Sequence, residues 1–424
     1  MTDVPASGLA PVRTRLPNAV TMLVKETRAV PAVTVSAVMA VGSLHDPPGA
    51  EGTAQLLSRV LDRGAGARSA GEVADLLDLR GVSPSIVVTR HTTSITCDCL
   101  ADDLDVVLET VCDMVRAPRC EPEDVELGRR RLVAAIGQDD DSPATRAFES
   151  AMALIYGDAH PYGRRPKGSA DTVGGIPVEA VRAFHASAFV PSRLTLVLVG
   201  DVDAAATVAA AARVCGDWAG EAGDDPTLSP PPEASRRRRD VTMPGKAQAD
   251  IVYGFATIPR SDPAFHAYWL MNNVLGQYGI GGRLGRNIRE RQGMAYYAGS
   301  VFEASVIAGP LLVRAGVSPD DVDRAVEAID TEVEAMGRDG VTDEELANAK
   351  RYLRGAMPRS LETNAGIARF LQTAEQFGLG LDYDLRLPGL VDAVTVEAVG
   401  ETARRSLVTG RAAIAVAGPG GAGS

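Results

Sequence analysis

Aromatic residues make up only 4% of this 424-residue chain, so its cores must be built mainly from Ala, Val and Leu. Histidine is as scarce. The five imidazoles (His45, His91, His160, His185, His266) stand at least 25 residues apart. Neither HExxH nor HxxEH is present, the two helical spacings that place a zinc-binding imidazole pair and a glutamate on one face. The five cysteines (Cys97, Cys99, Cys112, Cys120, Cys215) are odd in number and lack CxxC spacing. That fits reduced, mostly buried thiols in a cytoplasmic protein. Cys97 and Cys99 alternate on one strand, yet nothing nearby completes a metal site. No run approaches the roughly 18 apolar residues of a membrane helix. The start, Met1-Thr-Asp-Val-Pro-Ala-Ser-Gly8, has neither a basic end nor an apolar stretch, so no secretory signal is expected. Basic residues number 43 against 55 acidic, a net charge of −12, which argues against a nucleic-acid or anionic-membrane partner. No Ser/His/Asp or Cys/His catalytic set is identifiable from spacing.

What is present is enough apolar residue for two domains, at 45% hydrophobic and 23% charged. Val20–Lys25 and Val33–Val41 read as strands, paired through the turn at Pro31. A helix is expected over Gly52–Leu61, its buried stripe formed by Leu57, Val60 and Leu61. A second helix and a hairpin (Ser85–Thr89 with Ser94–Cys99) follow. Helices then dominate from Asp102 to Tyr156, with a strong strand at Leu194–Val199 and an alanine-rich helix at Ala204–Cys215. Residues 219–248 change character, with Pro230-Pro-Pro232 followed by Arg236–Arg239. This is a stiffened linker; its arginines could bind an acidic partner, and the plainer reading is that they solvate an edge or neutralise local acidic surface. Beyond it the pattern repeats: strands at Asp240–Met243 and Ile251–Ala256, a helix at Ala264–Leu275, then long helices at Pro319–Met336, Asp343–Ala356 and Leu361–Phe377.

The repeat has a register. Phe189–Gly200 lies 218 residues before Leu407–Gly418, and Val190, Arg193 and Gly200 fall on Val408, Arg411 and Gly418. An internal duplication follows. The expected fold class is α+β, two homologous domains, each a mostly antiparallel sheet covered by helices. The expected bounds are 1–220, a linker over 221–245, and 246–424. A cleft between related halves is a natural place for a ligand.

The stretch Gly281–Tyr297 carries the most chemistry. Leu284 and Ile288 recur at helical spacing among Arg283, Arg286, Arg289 and Arg291. Gly293 stops that helix in the left-handed conformation glycine tolerates. Ala295–Phe302 then reads as a strand. Arg289 and Tyr296 flank the turn, where together they could hold a peptide carbonyl or an oxyanion. The plainer reading is a solvated arginine face beside an ordinary strand tyrosine. The glycine run Gly279–Gly285 is no dinucleotide fingerprint, because a helix rather than a strand precedes it and the spacing is not GxGxxG.

Several of these segments, in order, resemble the inverzincin peptidases of the pitrilysin type (family M16), which include the mitochondrial processing peptidase and bacterial relatives. They are Gly42-Ser43 with Pro47 and Gly52, Asp139–Pro143, His160-Pro-Tyr-Gly163 with Gly168, Phe184–Asp203, and Arg289–Tyr296. The chain departs from that family where it should bind zinc. In place of HxxEH stands Gln55-Leu-Leu-Ser58-Arg59, so Gln55 and Arg59 replace the histidines and Ser58 the general base. The third-ligand glutamate falls at Ala134 or Ala135. Arg59, an arginine in a metal-ligand position, repels a dication, so catalytic zinc is not expected in this chain.

Some bacterial members of the family are heterodimers in which one subunit bears HxxEH and the other bears an Arg/Tyr pair. The resemblance implies that this chain is the second kind, one side of a clam-shell pair. Arg289 and Tyr296 would then reach a zinc-bearing partner's site and hold the substrate carbonyl or oxyanion. A peptide substrate would add as a strand to a sheet edge. The alternative is a structural or peptide-binding protein that keeps the fold without proteolysis. Delivery of a precursor peptide to another enzyme, or a homodimer, are further options that the residues leave open.

Overall fold

A computed structural model of the chain describes residues 8–277 and 281–419. Most of the start Met1–Gly8, and Gly279 and Ile280 of the glycine run, lie outside the described residues. Two sheets organise them. The first holds β1 (Val12–Arg15), β2 (Thr21–Glu26), β3 (Ala32–Met39), β4 (Ser85–Val88), β5 (Thr93–Leu100) and β6 (Leu194–Gly200) in the order β1-β2-β6-β3-β5-β4. The second holds β7 (Arg237–Thr242), β8 (Ala249–Ala256), β9 (Ala295–Phe302), β10 (Pro310–Val317) and β11 (Ala413–Gly418) in the order β7-β11-β8-β10-β9. Without β1, the two orders are the same when read by position within each half. In each sheet the one parallel pair joins the half's last strand to its first core strand, β2 with β6 and β7 with β11. All other pairs are antiparallel, so the α+β expectation and the duplication both hold.

The expected β2–β3 pairing is corrected. β6 lies between them, parallel to β2 and antiparallel to β3. Nearly every residue of β6 is buried. A strand apolar on both faces is stable only where both faces are covered, which puts it at the sheet centre. The helix expected over Gly52–Leu61 is shorter, Thr53–Ser58, and then tightens into i→i+3 bonds such as Val60 N to Leu57 O at 3.0 Å. Within the stretch read as a linker, Arg237–Thr242 forms edge strand β7. Its arginines are answered locally: Arg236 by Asp330 at 2.8 Å, and Arg238 by Asp240 at 3.0 Å and Asp323 at 2.7 Å. Charge along an edge strand also discourages pairing with foreign strands.

The chain condenses into two compact units that do not coincide with its halves. One comprises Met1–Gly137, Arg165–Thr227 and Pro358–Leu385; the other comprises Gln138–Arg164, Leu228–Met357 and Arg386–Ser424. Each half lends a helix. The helix Pro143–Tyr156 packs on β7, β8 and β11 of the second unit. Gly254 of β8 makes room for it, since a Cβ there would stand 2.9 Å from Ile155 and 2.5 Å from Leu312. The helix Asn364–Gln376 packs on β3 and β6 of the first unit, where Ile367, Ala368 and Leu371 meet Leu23, Val197 and Val199. All five cysteines are free and buried.

Candidate functional site

The segment Gln55–Arg59 sits on and just past the helix Thr53–Ser58, whose start is fixed by Asp46. One carboxylate oxygen of Asp46 accepts from Gly52 N at 2.8 Å, the other from Ala54 N at 2.7 Å. Gly52 has φ 103°, a conformation that glycine adopts without strain, and a Cβ there would meet Lys167 O at 2.5 Å. The side chains that follow are committed or unsuited to a metal. Gln55 donates to Val88 O at 3.3 Å, and the buried Ser58 hydroxyl donates to Gln55 O at 2.7 Å. Arg59 is exposed. Its Cβ lies 3.0 Å from where a Cβ on Gly128 would be, so the helix Pro122–Asp140 crosses closely here. Ala135 is seven residues beyond Gly128, two turns along the same face of that helix. Zinc wants imidazole, thiolate or carboxylate. An amide, a hydroxyl, a guanidinium and a methyl group do not fit it. Among the described residues no group of three His, Cys, Asp or Glu is placed to hold a metal.

The Arg/Tyr stretch belongs to the second unit. Leu284 and Ile288 are fully buried, as their spacing predicts, and anchor the turns that carry the arginines. Gly285–Arg291 forms a π-helix, a widened turn often found at functional sites. Not every arginine there is solvated. Arg283 makes a bidentate pair with Glu345 at 2.8 and 2.7 Å and also donates to Gly340 O at 2.8 Å. Arg289 is exposed in the last turn. Gly293 then reverses the chain at φ 65°.

Tyr296 occupies a position that sequence reasoning did not foresee. On β10, Gly316 pairs with Tyr297, and the next residue, Val317, pairs with Ala295. Tyr296 is therefore the extra residue of a β-bulge, a device that re-aims a side chain. It is 81% exposed, whereas Tyr297 turns in and donates to the buried Asp250 carboxylate. Burial, followed by that hydrogen bond, drives the Tyr297 phenol well above the ordinary tyrosine range. Burial likewise raises the Asp250 carboxyl. Thus Tyr297 is a structural phenol and Tyr296 a presented one. Both Arg289 and Tyr296 offer polar heads to solvent on either side of the Gly293 turn.

A fold of duplicated α+β halves, with the Gln55–Arg59 segment in the first and an Arg/Tyr turn in the second, is that of a metallopeptidase-like protein. Residues 21–160 match the family described as insulinase (peptidase family M16), and residues 175–353 match the peptidase M16 inactive domain. The chain belongs to peptidase family M16. It is 28% identical over 422 residues to a protein of Mycobacterium bovis described as an uncharacterised zinc protease, covering 98% of this chain and 95% of that one. A Bacillus subtilis protein of the same description is 23% identical over 407 residues, covering 95% and 97%. Among solved structures, a peptidase M16 inactive domain from Pseudomonas fluorescens superposes with a TM-score of 0.90 at 24% identity, covering 97% and 98% of the two chains. A protease from Helicobacter pylori gives 0.90 at 16% identity, covering 96% and 99%. Both share the fold.

Proposed function

We propose that this chain is the zinc-free subunit of a heterodimeric M16 metallopeptidase, lending Arg289 and Tyr296 to the active site of a partner that bears HxxEH. The observation that carries this reading is the contrast between the two halves. The first half has an amide, a hydroxyl and a guanidinium where a metal would need ligands, while the second uses a bulge to present Tyr296 beside a turn from Arg289. Two fixed donors suit the carbonyl oxygen of a scissile peptide, whose developing negative charge a guanidinium and a phenol stabilise as the tetrahedral species forms. Zinc, held by the partner, would supply the activated water. This chain's part is to bind and orient the peptide and to hold the oxyanion. The charge of −12 speaks against a nucleic-acid partner. Among the described residues no helix is long and apolar enough to cross a membrane. Free, buried thiols support a cytoplasmic setting.

The test is reconstitution. The chain is mixed with a candidate HxxEH-bearing M16 subunit, and cleavage of a fluorogenic peptide is followed. Arg289→Ala should lower turnover by about 10²-fold or more, as for loss of an oxyanion donor. Tyr296→Phe should reduce it as well, while leaving assembly intact. Unchanged turnover in both variants would remove the role. Failure to co-purify with any zinc-bearing subunit would favour a structural or peptide-binding protein without proteolytic work.

A further inference from the structure

The second half holds a cavity at the fold position that the degenerate motif occupies in the first. Gln55 comes 16 residues after the end of β3, and Asn273 comes 17 after the end of β8. Gly128, which approaches the motif helix, is six residues into Pro122–Asp140. Ala349 is six residues into Asp343–Ser360. In the second half these elements stand apart and enclose about 420 Å³, lined by Asn273, Val274, Arg286, Thr342, Glu345 and Asn348 among others. That is the size of a small-ligand pocket. Asn273 also opens a π-helical turn, Asn273–Gln277, and Arg286 lies in a second one, Gly285–Arg291. Such widened turns are frequent at functional sites.

The hydrogen-bonding inventory of the wall is unbalanced. Glu345 is fully used, accepting from Arg283 twice and from Thr342 N at 2.9 Å. The Asn348 amide oxygen accepts from Arg351 at 3.1 Å. Two donors are left over. Asn273 is 1% exposed, and its amide nitrogen has no acceptor and is covered, so a ligand meets it as the side chain turns toward the cavity. Arg286 has Glu345 at 3.7 Å, beyond hydrogen-bond reach of oxygens already engaged. A buried donor without an acceptor is what a ligand carbonyl would satisfy. Formal charge selects among acceptors. Arg283 and Arg286 are balanced by Glu345 and by Glu344 in the same wall, and Glu332 stands close behind, holding Asn287 at 2.7 Å. A carboxylate or phosphate would meet these acids, and a neutral amide would not. We propose that this cavity is a second ligand site, unassigned until now, which takes a neutral peptide group through Asn273 and Arg286. The ligand class rests on the peptide-binding reading above, but the site can be tested on the lone chain without turnover.

The probe is a capped glycine–serine peptide bearing one benzophenone side chain, irradiated with the full-length chain and mapped by mass spectrometry. Adducts are expected on the turn carrying Arg286 and the first turns of Asp343–Ser360. N-acetylglycine N-methylamide should compete, and acetate at equal concentration should not. Arg286→Ala should lower the yield by about five-fold, the loss of roughly one hydrogen bond, and Asn348→Trp, an exposed wall position filled by a large ring, should lower it at least as far by occupying the space. Circular dichroism would confirm that both variants fold. Adducts that ignore both substitutions, or competition by acetate equal to that by the diamide, would overturn the assignment. If the peptidase reading fails but these adducts form, the site stands alone.

Discussion

Glu345 joins three features of the second unit: the ion pair with Arg283, the cap of the helix Asp343–Ser360, and the cavity wall. Replacing it by Ala leaves a largely buried guanidinium without its acid. A fully buried pair broken in this way costs about 3–5 kcal/mol. The Arg283 and Glu345 side chains keep 14% and 19% exposure, and water reaching them brings the expected cost to about 2–3 kcal/mol. Glu345→Gln preserves shape and one acceptor, so about 1–2 kcal/mol is expected. In a unit of this size each kcal/mol lowers the melting temperature by about 2–4 °C. Calorimetry would measure both variants, and amide exchange over 281–292 and 340–349 would show whether the loss begins there. Acid adds a sign. Burial alone would raise the Glu345 carboxyl, but the Arg283 and Thr342 hydrogen bonds outweigh it and hold the group below its ordinary value of 4.5. The pair's contribution is therefore complete above pH 4.5 and fades as pH falls through the lowered value. If Glu345→Ala and Glu345→Gln both lie within about 0.5 kcal/mol of the parent, the pair is not a structural keystone and the reasoning fails.

Two further predictions follow the same logic. Asp46→Ala strands the backbone donors of Gly52 and Ala54 at a buried helix start, and about 2–4 kcal/mol should be lost, with Asp46→Asn milder; a urea midpoint unchanged in the Ala variant would refute the cap. Burial, helped by Arg90 and by Arg260 respectively, lowers His91 and His266 to about 4. The unfolded chain takes up protons at 6.5 and the folded chain does not until about 4, so stability should fall as pH drops through that window. A flat urea midpoint across it would contradict the half-buried, neutral imidazoles.

Patterns carried by near neighbours in the chain were legible from residues alone. Ala295–Phe302 is a strand with the bounds that its β-branched and aromatic content predicts. Leu284 and Ile288 are buried as their spacing requires, and Gly293 has positive φ as the stop signal demands. That Gln55, Ser58 and Arg59 are not zinc-binding residue types is a chemical fact of the sequence, and the helix Thr53–Ser58 places Gln55 and Ser58 in hydrogen bonds of their own. The helix Tyr383–Asp392 was missed, because Pro388 in its middle speaks against a helix when read alone.

What the sequence determined by itself is the duplicated α+β plan, the absence of an HxxEH motif and the presence of an Arg/Tyr turn, because each depends on residue type and short-range period. Tertiary structure decided the rest. It set β6 between β2 and β3, since a strand apolar on both faces needs covering on both. It sent the helices Pro143–Tyr156 and Asn364–Gln376 to sheets outside their own halves, where buried apolar surface, blind to chain order, found its match. It made Tyr296 rather than Tyr297 the presented phenol, because a one-residue slip against β10 turns one ring out and the other toward Asp250, and no local pattern records that slip.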